Sequence, residues 1–137
     1  METILVVEDE ENVRRLVRLV LEAQGYRVLD ASGAREALYI HENHSAPIDL
    51  LLTDIVLSGK SGREVARELQ ELRPGIRVIF MSGYTDDTVM RSELEKSNAL
   101  FMAKPFTPTR LLQKVRSALD GVDAAAEIPH YPERWRD

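Results

Sequence analysis

IDLLLTDIVLSGKSG, residues Ile48 to Gly62, is an apolar run, Ile48 to Thr53, that delivers one aspartate, Asp54, into a Gly- and Ser-containing loop. A short continuous run of this kind reads as a strand buried on both faces, which is the habit of a parallel sheet covered by helices. The rest of the chain falls into place around it.

Upstream, Ile4 to Val7 is a second such run and stops at Glu8-Asp9-Glu10-Glu11. From Glu10 to Gln24 the residues Val13, Leu16, Val17, Val20 and Leu21 repeat at helical spacing, and Gly25 closes the helix. Tyr26 to Ala31 is a less apolar strand, suited to an edge. Ser32 is the expected N-cap of a helix from about Gly33 to Asn43.

Downstream, Ser61 and Glu64 have capping-box spacing and open a helix with Val65, Ala66, Leu69 and Leu72 facing inward. Pro74-Gly75 turns the chain into a fourth strand, Ile76 to Met81, followed by Ser82-Gly83-Tyr84 as a loop. A thinly apolar helix is expected over 86–96, closed by Asn98. Ala99 to Ala103 is the fifth strand, and Thr107-Pro108 starts a last helix that ends near Gly121.

Five strands alternating with five helices make an α/β doubly wound parallel sheet with helices on both faces. The 137 residues suffice for one domain. Residues 1–121 are expected to form it and 122–137, with two prolines and no helical period, a flexible C-terminal tail. A net charge of −5 argues against a general nucleic-acid binder, and no apolar stretch approaches the roughly 20 residues of a membrane span. No signal peptide is read at the amino end, and zero cysteines exclude disulfides and thiolate chemistry and fit the cytoplasm.

In open sheets of this kind the site lies beyond the carboxyl ends of the strands. Those ends carry Glu8 and Asp9, Asp54, Ser82 and Lys104, with Asp30 too far toward an edge to join with them. Three carboxylates brought together raise one another's pKa, a cost that a hard divalent cation with oxygen ligands removes. Lys104 and Ser82 add a positive charge and a hydrogen-bond donor, so the pocket suits a dianion attached to Asp54. A carboxylate can itself accept a phosphoryl group.

Along ILVVEDE, LLTDIVLSGKSG, FMSGYTDD and ALFMAKPFTP, over about residues 3 to 120, the chain resembles a response-regulator receiver domain of bacterial two-component signalling. MSGYTDD and KPFTP are most similar to receivers of hybrid sensor histidine kinases. The resemblance implies a flavodoxin-like five-stranded sheet of order 2-1-3-4-5. It implies that Asp54 is the phosphoacceptor, Asp9 a direct Mg²⁺ (or Mn²⁺) ligand together with Asp54 and the Val56 backbone carbonyl, and Glu8 an outer member acting through water. Ser82 is implied as the switch hydroxyl, Phe101 as the switch aromatic, and Lys104 as the phosphate-binding lysine before a cis proline, Pro105. The implied donor is a histidine kinase or histidine phosphotransfer protein. The implied output is a protein partner reading the surface of the fourth helix, fifth strand and fifth helix.

Ser58 stands where the family usually has proline, and Asn98 where it usually has glycine. Val56 and Tyr84, two residues beyond Asp54 and Ser82, are expected to flank the acyl phosphate and to slow its hydrolysis. Such a domain catalyses its own phosphorylation and slow dephosphorylation, with no separate substrate to turn over. Two rivals remain at this level: a haloacid-dehalogenase-type phosphohydrolase, which needs a second aspartate where Val56 stands, and a receiver-fold interaction module that is not phosphorylated. A nucleotide-binding reading fails for want of a glycine-rich phosphate loop after the first strand. His41, His44 and His130 share no ligand spacing and read as ordinary exposed residues.

Overall fold

The computed structural model describes residues 1–57, 61–83 and 100–121. The helix expected over 86–96, residues Ser58, Tyr84 and Asn98, His130 and the 122–137 tail lie outside the described residues. Within them the order is β1 (Thr3–Val7), α1 (Glu11–Ala23), β2 (Arg27–Ala31), α2 (Ala34–Glu42), β3 (Leu50–Asp54), α3 (Gly62–Leu72), β4 (Arg77–Ser82), β5 (Leu100–Ala103) and α4 (Pro108–Leu119). The five strands form one parallel sheet in the order β2-β1-β3-β4-β5, the flavodoxin-like arrangement.

The central strands β1 and β3 are buried at every position, as continuous apolar runs require when helices cover both faces. Alternate side chains feed two cores. Leu5, Val7, Leu51, Val78 and Phe80 pack under α2 and α3 with Ala37, Val65 and Leu69. Ile4, Val6, Leu50, Leu52, Ile79 and Met81 pack under α1 and α4 with Val17, Leu21, Leu111 and Val115. Each fully buried aliphatic side chain contributes about 1.5–3 kcal/mol of transfer free energy, so this double layer holds the strand ends in register.

Helix boundaries follow local chemistry. Ser61 Oγ accepts the Glu64 N–H at 3.2 Å, and Thr107 Oγ1 accepts the Arg110 N–H at 3.1 Å with Pro108 at the first helical position. Gly25, at φ 104°, ends α1 in a conformation that a Cβ would strain.

Several expectations are corrected. Gly33, not Ser32, is the N-cap of α2, without a side-chain cap bond; the Ser32 N–H instead donates to Glu36 Oε1 at 2.8 Å. Leu16 is 49% exposed and Leu72 is 65% exposed, because α1 and α3 turn only a narrow stripe to the sheet and these leucines flank it. Asp54 and Ser82 are the last residues of their strands rather than loop residues.

His41 is buried instead of exposed. Its Nδ1 accepts from Arg73 Nε at 2.6 Å, and the same guanidinium donates to the carbonyls of Ala46, His41 and His44 at 2.9, 3.2 and 2.5 Å. One arginine beyond α3 thus bonds carbonyls in the last turn of α2 and in the segment after it, and ties α3 to both.

Candidate functional site

The sheet topology sets the site. β1 and β3 are neighbours at the centre, and β4 and β5 follow on one side, so the carboxyl ends of four strands share one rim. Glu8 and Asp9 continue β1, Asp54 ends β3, Ser82 ends β4, and Lys104 follows β5. The peptide between Lys104 and Pro105 is cis. The Lys104 N–H donates to the Ser82 carbonyl at 2.9 Å, which joins the last two strand ends.

Side chains converge on this rim. Lys104 Nζ lies 2.6 Å from Asp54 Oδ1 and 2.5 Å from Glu8 Oε1. Glu8 is fully buried, and its second oxygen accepts the Glu10 N–H at 3.0 Å. Ligand oxygens of Glu8, Asp9 and Asp54 all lie within 4.8 Å of one another, with Asp9 exposed at the mouth. Ser82 is buried beneath the rim. Val56 is 52% exposed beside it. Phe101 is half-buried against Phe80, ring centroids 5.9 Å apart, on the α2–α3 side of the sheet.

Three carboxylates against one ammonium leave negative charge uncompensated. Burial, and then the hydrogen bond with Glu8, push the Asp54 carboxyl up to about 8, although Lys104 pulls the other way. Burial also opposes the charge of Glu8, yet hydrogen bonds from Asp54 and Lys104 outweigh it and hold Glu8 below the usual carboxylate range. Burial and Glu8 thus favour the neutral form of Asp54, while Glu8 is the more readily ionised of the two. Burial and the neighbouring Glu8 raise Asp9. Lys104 is raised despite burial, by its bonds to Asp54 and Glu8. This donor set, all hard oxygens with charge to spare, fits a divalent cation of the Mg²⁺ type.

Two supporting residues escaped the sequence reading. Thr53 Oγ1 donates to the Asp54 carbonyl at 3.0 Å, and Gly62 brings the start of α3 against that same carbonyl. A Cβ on Gly62 would stand 1.7 Å from the Asp54 oxygen, so the loop after Asp54 can return only over a glycine. The signal available in the sequence was a glycine directly after the Ser61 cap, where a helix former is normally placed.

Among the described residues no helix is long and apolar enough to cross a membrane. The chain is 35% identical over 121 residues to the sensor kinase CckA of Brucella abortus, covering 88% of this chain and 13% of that protein. It is 34% identical to the aerobic respiration control protein ArcA of Escherichia coli, covering 85% of this chain and 48% of ArcA. The chain thus spans at most about half the length of these relatives. Among solved structures, a CheY-like receiver domain protein from Methanospirillum hungatei matches with TM-score 0.79 at 31% identity, covering 88% of this chain and 95% of that one. The receiver domain of the hybrid histidine kinase CckA matches with TM-score 0.72 at 32% identity, covering 85% and 98%. Residues 4–116 match the family model of the response regulator receiver domain, and the chain belongs to that family.

Proposed function

We propose that Asp54 accepts a phosphoryl group from a phosphohistidine donor, and that the chain acts as the phosphoacceptor of a two-component phosphorelay. The observation that carries this reading is the Lys104 ammonium 2.6 Å from Asp54 Oδ1 within a cluster of three carboxylates. An Asp54 oxygen attacks the phosphorus, the phosphorus–nitrogen bond of the donor breaks, and the imidazole leaves with its electron pair. The product is an acyl phosphate. Lys104 follows the charge onto the phosphoryl oxygens and Ser82 supplies a hydroxyl donor, so positioning and charge stabilisation do the catalytic work.

Asp9, Asp54 and the Val56 carbonyl would hold Mg²⁺ or Mn²⁺, with Glu8 behind them. When bound, the cation lowers the Asp54 pKa and neutralises phosphoryl oxygens. A hydrolase reading is disfavoured because Val56 cannot serve as an acid or base.

Resemblance to the receiver of a hybrid histidine kinase supports a histidine kinase or histidine phosphotransfer protein as donor. In the proposed switch Ser82 moves toward the phosphoryl group and Phe101 turns into the space vacated. The face of β5, α4 and the helix expected over 86–96 is thereby re-biased toward a protein partner in the cytoplasm. The test is Mg²⁺-dependent labelling by acetyl phosphate: Asp54→Asn should take no label, and persistent labelling overturns the assignment.

A further inference from the structure

Glu8 is anchored at each backbone polar group. Its N–H donates to the Ala31 carbonyl at 3.0 Å, one step beyond the β1–β2 ladder. Its carbonyl accepts from Arg14 Nη1 at 2.8 Å. That carbonyl belongs to the Glu8–Asp9 peptide, so Arg14 fixes the plane from which Asp9 departs toward the other carboxylates.

Arg14 is itself held from outside the site. Its Nε lies 3.7 Å from Asp30 Oδ2, and Arg18 Nη1 holds the other Asp30 oxygen at 2.9 Å. Asp30 pairs with Val6 in the sheet register and so faces the α1 side with it. The Arg14 N–H also makes a helical bond to Glu10 O at 2.9 Å, which roots the residue in the first turn of α1. A planar guanidinium can reach a carbonyl and a carboxylate at once, whereas an ammonium is a single point.

We propose that Arg14, braced by Asp30, is a positioning residue that orients Asp9 for cation binding. This inference rests on the phosphoacceptor reading above. It gives Asp30, which ends no catalytic strand, a role at one remove from the chemistry. The strut runs from the edge strand β2 through α1 to the β1 end, and it touches neither Asp54 nor Lys104.

The experiment measures three quantities on the full chain. Mg²⁺ affinity is read by calorimetry, order of the Asp9 and Glu10 amides by ¹⁵N relaxation without metal, and acetyl phosphate labelling as a function of Mg²⁺. Arg14→Gln is expected to loosen the two amides and to weaken Mg²⁺ binding about tenfold. Its labelling rate at saturating Mg²⁺ should stay within about twofold of wild type, a split that a general loss of fold would not produce. Arg14→Lys should fail to rescue, and Asp30→Asn should weaken binding in the same direction by a smaller factor. Should Arg14→Gln not fold, the latter two variants decide. Unchanged Mg²⁺ affinity in folded Arg14 variants overturns the proposal, as do loosened amides with unchanged affinity. A wild-type chain that neither binds Mg²⁺ nor labels instead sinks the phosphoacceptor reading. In that case the amide relaxation still decides whether Arg14 orders the loop.

Discussion

Gly62 and Asp54 meet backbone to backbone: a Cβ on Gly62 would fall 1.7 Å from the Asp54 carbonyl oxygen and 2.9 Å from its carbon. The Gly62 N–H donates to the Ile55 carbonyl at 2.7 Å, so the turn after β3 is closed by glycine itself. Gly62→Ala is expected to cost about 3 kcal/mol. Gly33→Ala, whose Cβ meets nothing within 4 Å, should cost less than about 1 kcal/mol. Denaturant midpoints compare the two, and equal midpoints would refute the account.

Protonation of Asp54 makes stability depend on pH in a definite direction. Its folded carboxyl, at about 8, lies above the unfolded value, so its stabilising contribution is full in acid and is lost as pH rises toward 8. Glu8, held low, works the opposite way and loses its contribution as pH falls. Asp54→Asn removes the first dependence. Without metal, its melting temperature should exceed that of wild type by a margin that widens from pH 5 to pH 8, reaching about 3–5 °C. A margin independent of pH would contradict the raised Asp54 carboxyl.

Lys104→Ala separates charge stabilisation from cation binding. Labelling should fall about a hundredfold, since the ammonium beside Asp54 is lost. Mg²⁺ affinity should hold or increase, because a like charge leaves the neighbourhood of the cation. A parallel fall in both would show that Lys104 acts mainly by keeping the pocket folded.

Val56→Asn tests the lifetime of the phosphorylated form. Val56 stands exposed beside Asp54 and offers no group to a water. An amide there can orient an attacking water, and the decay rate should rise about tenfold. Decay is followed by loss of label after removal of the donor, and an unchanged rate discounts Val56 as a brake.

Arg73→Ala should destabilise by about 2 kcal/mol, since it strips partners from the carbonyls of His41, His44 and Ala46. Burial, and then the adjacent guanidinium, hold the His41 pKa below its ordinary value. The wild-type contribution is therefore present above the unfolded value of about 6.5 and is lost as pH falls below it. In Arg73→Ala the His41 pKa should rise, as an NMR titration of the ring protons would report.

The elements legible in the sequence were those where one rule acts alone. Continuous apolar runs marked β1 and β3, and capping hydroxyls marked the starts of α3 and α4. The carboxyl-end rule then selected Glu8, Asp9, Asp54, Ser82 and Lys104, which follow from strand order alone. What stayed hidden were contacts between residues distant in sequence. Nothing local announces that Arg73 will reach back to His41 or that Gly62 must lie under Asp54. Leu16 and Leu72 misled for a related reason, because helical spacing gives the apolar face but not how much of it the sheet covers.

Arg116 on α4 grips Glu2 at 2.7 Å and Asp120 at 2.8 Å, which ties the start of β1 to the end of the last helix. Both lie at the amino edge of a parallel sheet, the edge opposite the acid cluster. The clasp and the reactive rim thus sit at opposite edges of one sheet, a separation that follows from strand direction alone.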